Sequence, residues 1–331
     1  MAQQLDLLSN LSQRPAWLEQ LRSGVKQWAE QGVYLGGSSW KYEGWLGQVY
    51  SADRYNVRGK FSQKEFERHC LEEYAEWYPT VCGDFAFYTF YEDKVWSELF
   101  SQVPSSFQFG FKAPERITAP SFPNQPRYGA VAGQSNPDFL NSDLFVSNFV
   151  ERLVPYQKQV GYVVLEFPQF HQFTDESRAQ FLERLDRFLG DLPKRLRYAI
   201  EIRTKKLLTE EYFCVLRRHQ VAHTFNSWTR MPSVGEQLNL SELFTTDFTV
   251  ARLLLRPGRT YEQAVSAFQP YNDVKDPYPE GYHEAARLVR EAKKRSTKRI
   301  VFLSVNNRWV GNTHVAISEI LKRLTVECST S

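Results

Sequence analysis

The chain has 331 residues, 42% of them hydrophobic and 24% charged, the proportions of an ordinary globular protein long enough for two modest domains or one large barrel. A formal net charge of +3 gives no general argument for nucleic acid, so any basic character has to be local. The four cysteines, Cys70, Cys82, Cys214 and Cys328, form no CxxC pair, and no apolar run is long enough to span a bilayer, which together predict a cytoplasmic protein with no membrane partner.

Apolar residues Trp17, Leu18, Leu21, Val25 and Trp28 recur at helical spacing and predict a helix over residues 12–31, lying across the bottom of the fold. Val33 to Trp40 reads as the first strand. A loop with Trp45 and Tyr50 follows, then a helix over Phe66 to Trp77. Thr80 to Tyr88 is the least regular strand, and a helix through Val95, Trp96 and Leu99 comes after it. Phe107 to Lys112, Tyr162 to Glu166, Tyr198 to Arg203, Val221 to Asn226, Phe248 to Arg252 and Ile300 to Asn306 are short apolar runs that stop on a charged or amide residue. Helices are expected over about 138–157, 175–189, 209–219, 281–295 and 313–325, with a Pro-rich loop from Pro114 to Pro137 and an irregular insertion from Pro257 to Gly281.

Eight alternating strand–helix units with no break in composition predict a (β/α)8 TIM-type barrel. The expected division is a helical extension over residues 1–32, a single barrel over 33–325 and a tail over 326–331. Successive side chains alternate across a strand, so Gln108, Gly110 and Lys112 share one face while Phe109 and Phe111 share the other. In a parallel barrel the greasy face meets the helices. The terminal polar residue then points into the C-terminal mouth, where active sites of this fold are built.

Gly36-Gly37-Ser38-Ser39-Trp40 with Trp45 and Tyr50 resembles the opening of the YecE-like family, domain of unknown function 72. Phe87-Tyr88, Phe109-x-Phe111-Lys112-Ala113-Pro114, Ile117-Thr118, Glu166-Phe167-Pro168, Glu201-x-Arg203, Arg252 and Asn306-Asn307 are similar to its later blocks, from about residue 33 to 325. The resemblance implies a TIM-type barrel and leaves the activity open, since none is assigned to the family. The chain departs from the family pattern at Cys82, Asp84, Ala119, Glu166, Thr204 and Asn226, and Arg252-Leu253-Leu254-Leu255 replaces its Arg-x-His-Gly block. Those departures imply a divergent member.

Glu166 and Glu201 end sequential strands, so a barrel makes them neighbours. Two close carboxylates do not both ionise cheaply and can work as acid and base. The plain alternative pairs Glu201 with Arg203 and Glu166 with Lys112, and the two readings weigh about evenly. An adjacent carboxylate makes Lys112 a clamp rather than an amine nucleophile. Arg252, Arg256, Arg259 and Arg308 follow strands seven and eight, the usual phosphate-binding corner of the fold, although Arg259 and Arg308 read as solvated rim. The expectation is an enzyme acting by acid/base chemistry on a small anionic substrate, phosphorylated or sugar-like. Glu201, Glu166, Lys112 and Arg203 are its catalytic candidates. Trp40, Asp84, Tyr88, Asn226, Arg252, Arg256, Asn306 and Asn307 are its binding candidates. Mouth aromatics and arginines leave a non-catalytic binder of single-stranded nucleic acid, or of another polyanion, as the alternative. His223 reads as a satisfied core histidine. No metal-ligating spacing occurs, and an all-oxygen magnesium site from Glu166, Glu201 and Asn226 has no support beyond residue type.

Overall fold

The computed structural model describes residues 15–170, 174–240, 244–296 and 298–326. Eight parallel strands close into a barrel: β1 (Val33–Gly37), β2 (Thr80–Gly83), β3 (Gln108–Lys112), β4 (Val160–Phe167), β5 (Tyr198–Ile202), β6 (Ala222–Ser227), β7 (Phe248–Leu253) and β8 (Ile300–Val305). β1 closes the ring, running beside β8 from Val33↔Val301 to Gly37↔Val305 and meeting β2 at Gly37↔Val81. This is the (β/α)8 barrel that the strand pattern predicts.

Period-two alternation sorts the side chains as expected. Inside lie Cys82, Tyr162, Val164, Ala199, Ala222, Phe248, Val250 and Phe302. Outside, Phe109 and Phe111 pack against Phe100 and Trp96 of the helix Asp93–Ser101. Bulky rings fit the interior because glycine sits opposite them: a Cβ on Gly110 would lie 2.6 Å from the Tyr162 ring. Gly36 has a stricter task, since a Cβ there would lie 2.0 Å from the Thr80 carbonyl oxygen, so only glycine lets β1 run this close to β2.

The N-terminal helix spans Ala16–Glu30, burying Leu18, Leu21 and Val25. Together with Tyr34, Pro79 and Phe107 it lines a groove at the N-terminal end of the barrel. Gln63–Ala75, Asp175–Asp191, Glu210–His219, Pro279–Arg295 and Thr313–Val326 are further helices of the outer layer, and Ser142–Phe145 continues through a π-turn at Val146–Val150 into Glu151–Leu153.

Three local features differ from the expectation. The second strand stops at Gly83, so Asp84 to Tyr88 form the turn leaving it. The region from Pro257 to Gly281 contains the helix Tyr261–Phe268, opened by a capping box in which Thr260 and Gln263 satisfy each other's backbone N–H, with Ala264 and Phe268 buried. A two-stranded hairpin, Asn56–Val57 with Lys60–Phe61, interrupts the loop after Tyr50. No helix among the described residues is long and apolar enough to cross a membrane.

Candidate functional site at the barrel mouth

The strand ends raise six charged groups into one cluster. Glu166 on β4 pairs in register with Glu201 on β5, and Arg252 on β7 pairs in register with Asn226 on β6 and Ser304 on β8. The Arg252 Nη1 lies between the two glutamates, donating to Glu166 Oε2 at 2.8 Å and to Glu201 Oε2. Arg203, just past β5, donates from Nη2 to Glu166 Oε2 at 2.8 Å and from Nε to Glu201 Oε1 at 3.2 Å. Lys112, closing β3, reaches Glu166 Oε2 at 3.2 Å and Asp84 Oδ1 at 3.1 Å. Its ammonium lies 3.4 Å from the centre of the Phe87 ring, while Arg203 stacks 3.8 Å over Trp228.

Three cations and three carboxylates thus neutralise one another on a floor that is almost sealed. Burial alone would raise the Glu166 carboxyl pKa, but Arg203, Lys112 and Arg252 outweigh it and hold the group well below the ordinary carboxylate range. Burial likewise opposes the charge on Arg252, yet Glu201, Cys82 and Glu166 push its pKa well above the usual arginine value. The Arg252 Nε remains without a partner.

Over this floor lies a cavity of about 980 Å³. Its walls come from the turn after β2, from Glu115 to Arg127, from Pro168 to Phe170, from Trp228, and from Tyr261, Asn306 and Arg308 on the β7–β8 side. The Pro-rich segment folds back on itself here. Phe122 and Gln134 exchange backbone contact across an antiparallel bridge at Ser121 and Ser135, and Asn136 Nδ2 donates to the carbonyls of Arg116 and Ala119, both at 2.7 Å.

Several candidates take positions other than those expected. Glu201 is fully buried, gives both carboxylate oxygens to arginines and does not line the cavity, so it supports the floor rather than meeting a ligand. Asn226 is fully buried too. Its Nδ2 donates to the Ile202 carbonyl at 2.8 Å, and it does not line the cavity. Asn307 turns away to accept from the Thr313 N–H at 2.8 Å, starting the last helix. Trp40 packs on Gly83 and leaves the cavity to Phe87 and Tyr88. Arg256 lies outside, 3.4 Å from Asp276 and stacked on Tyr278, with Arg259 on the same carboxylate. Arg252 stands where the proposed magnesium ion would need to lie, and no group of three or more metal-ligating side chains occurs among the described residues.

Lys112, Glu166, Arg203, Asp84, Tyr88, Arg252 and Asn306 do line the cavity. His223 is buried against the Tyr212 hydroxyl at 3.1 Å, as a core residue. Several cavity groups escaped the sequence reading, Arg308 and Glu115 among them. Arg308, read as rim, is held by Asn306, whose Oδ1 accepts the Arg308 backbone N–H at 2.8 Å while its Nδ2 donates to Ser38 Oγ at 2.6 Å. The Arg308 guanidinium stacks 4.7 Å over Tyr261, with no carboxylate in ion-pair range among the described residues and its Nε unpartnered. Glu115 was hidden at the foot of the Pro-rich segment, where it meets Arg127 at 3.2 Å.

Residues 34–330 match the family model described as protein of unknown function DUF72. The chain belongs to that family. Two crystal structures of one DUF72 family protein from Enterococcus faecalis superpose with TM-scores of 0.58 and 0.56 at 16% and 15% identity, covering 89% of this chain and 96% and 98% of theirs. A DUF72 family protein from Thermotoga maritima superposes with a TM-score of 0.53 at 19% identity, covering 88% of this chain and 98% of the other. At such identity these similarities carry the fold alone. No curated protein is significantly similar to the chain. Within this DUF72 chain, Asp84 and Glu166, two of the positions read from the sequence as departures from the family blocks, take part in the charge balance of the floor.

Proposed function

We propose that the mouth is the site of an enzyme that takes a small anionic substrate, phosphorylated or sugar-like, and works on it by acid/base chemistry. The observation that carries this reading is Arg308, a positioned guanidinium on the cavity wall with no carboxylate partner among the described residues. Lys112, Arg203 and Arg252 are already matched by Asp84, Glu166 and Glu201, so an incoming anion gains little from them. A ligand phosphate or carboxylate on Arg308 would make a charge-assisted pair at the corner after strands seven and eight. The rest of the ligand would then lie across Tyr261 and Trp228 above the floor. Glu115, Glu166, Asp84 and Glu262 on the walls interrupt any continuous basic track, which counts against a polyanion such as single-stranded nucleic acid.

Calorimetric titration with inorganic phosphate, glucose 6-phosphate and glucose tests it. Wild type and Arg256→Ala should bind the phosphates, and Arg308→Ala should lose roughly 10- to 100-fold in affinity, the worth of a hydrogen bond to a charged group. Equal affinity in Arg308→Ala and wild type, or no phosphate binding at all, overturns the reading.

A further inference from the structure

Acid/base chemistry needs a group that reaches the cavity and changes its proton. The floor supplies none: Glu201 is sealed beneath two arginines, and Glu166 is held ionised by three cations. Asp84 is tied to Lys112, with its side chain about half exposed. Glu115 differs from all of these. It stands at the start of the short helix Glu115–Thr118, its backbone N–H donating to the Phe87 carbonyl at 2.7 Å, so its position is fixed from two directions. The side chain is 14% exposed, lines the cavity, and has one ion-pair partner among the described residues, Arg127.

We propose that Glu115 is the carboxyl group that exchanges a proton with the ligand, and that Arg127 controls it. The inference rests on the mouth being a ligand site. Arg127 belongs to the Pro-rich wall, and its guanidinium lies 4.3 Å over Tyr88 and 5.0 Å over Tyr128, stacked rather than locked. At 41% side-chain exposure it can turn toward an anion in the cavity. Once it turns, Glu115 keeps its burial and loses its nearest positive charge.

The groups facing Glu115 fix the sign. Burial raises its pKa; Arg127 lowers it by charge and by hydrogen bond, Lys112 at the end of β3 lowers it further, and Glu166 at the end of β4 raises it, with a net upward shift. Removing Arg127 from the carboxylate therefore shifts Glu115 further upward and favours its taking a proton from water. The protonated carboxyl is then a general acid: its O–H bond breaks, the proton passes to a ligand oxygen, and the electron pair stays on a carboxylate that Arg127 can pair with again. Anion arrival and proton loading are thereby one event, and the wall carries both.

Titrating the glutamate carboxyl carbons of the full chain by ¹³C NMR tests this without any ligand, with Glu115→Gln assigning the resonance. Glu115 should titrate above the ordinary glutamate value in wild type, higher still in Arg127→Ala, and as wild type in Arg127→Lys. Adding inorganic phosphate to wild type should move it in the same direction as Arg127→Ala. A Glu115 that titrates at or below the ordinary value, or that moves down when Arg127 is removed, overturns the proposal. Failure of phosphate to bind would overturn the anion-site reading instead, and the ligand-free titration still decides the role of Glu115.

Discussion

Replacing Arg252 with alanine removes the more deeply buried of two cations that touch both glutamates, Arg203 being the other. The Arg252 side chain is 3% exposed and those of Glu166 and Glu201 are 7% and 0%, so water cannot replace what is lost. Breaking a buried pair from one side costs about 3–5 kcal/mol, mostly the penalty of a charge left buried without its partner. Glu166 keeps Lys112 and Arg203, and Glu201 keeps Arg203, which places the expected loss toward the lower half of that range. An unfolding entropy of about 2.1 cal/mol/K per residue over 331 residues is about 0.7 kcal/mol per kelvin, so the melting temperature should fall by roughly 4–6 °C.

Equilibrium urea unfolding at two pH values is the assay. The folded-state pKa of Glu166 is depressed, so its contribution is present above the unfolded carboxyl value of about 4.3 and is lost as pH falls through that value toward the folded one. The deficit of Arg252→Ala should therefore be full at pH 7 and shrink below about pH 4, as the stranded carboxylates become free to protonate. Arg252→Met, which keeps the volume, should lose nearly as much as Arg252→Ala at pH 7. A loss under about 1 kcal/mol, the worth of an exposed pair, would refute the picture of a sealed floor.

Gly36→Ala should cost about 3 kcal/mol, the upper part of the usual overpacking range, because its Cβ meets the Thr80 backbone and not a movable side chain; a melting temperature within 1 °C of wild type, read with an error of about that size, would show that β1 and β2 can separate. His314 is buried beside the Tyr78 hydroxyl at 2.6 Å, and burial pushes its pKa down to about 3. Its unfolded value is about 6.5, so stability should decline as pH falls from there toward about 3, by up to roughly 1.4 kcal/mol per pH unit. His314→Gln should flatten that slope, leaving the part due to His223, whose pKa burial lowers to about 4; an unchanged slope would remove His314 as its source.

The barrel and the inward direction of Lys112, Glu166, Glu201, Arg203 and Arg252 were legible because both depend on a period of two, which any strand-forming sequence displays. Depth was not. Glu201 and Arg203 share a face but stand two residues apart, nearly 7 Å along the strand. That distance is enough to put one beneath the floor and the other into the cavity. Asn226 was misplaced because its side-chain amide is taken up by the Ile202 carbonyl of the neighbouring strand, a partner that only the closed barrel supplies. Partner choice was hidden as well. Arg256 and Arg259 are neutralised by Asp276, in a segment whose fold no local pattern announced, and this left Arg308 as the uncommitted arginine. The helix Tyr261–Phe268 did carry a signal, the Thr260 to Gln263 capping box, masked by the prolines and glycines on either side.

Division of labour within the mouth follows from the charge bookkeeping alone. A cluster whose cations and carboxylates already saturate one another projects a weak net field into the space above it, because opposite charges a few ångströms apart cancel at ligand distance. It therefore acts as a rigid, oriented floor and holds the strand ends in register. On the proposed reading, discrimination and proton exchange fall to groups on the walls: Arg308, fixed through Asn306 to Ser38, and Glu115, paired with the stacked Arg127. Such an arrangement separates stability from function in space. Loops can then change ligand preference while Lys112, Arg203 and Arg252 stay paired beneath them, which is how one barrel comes to serve different chemistries.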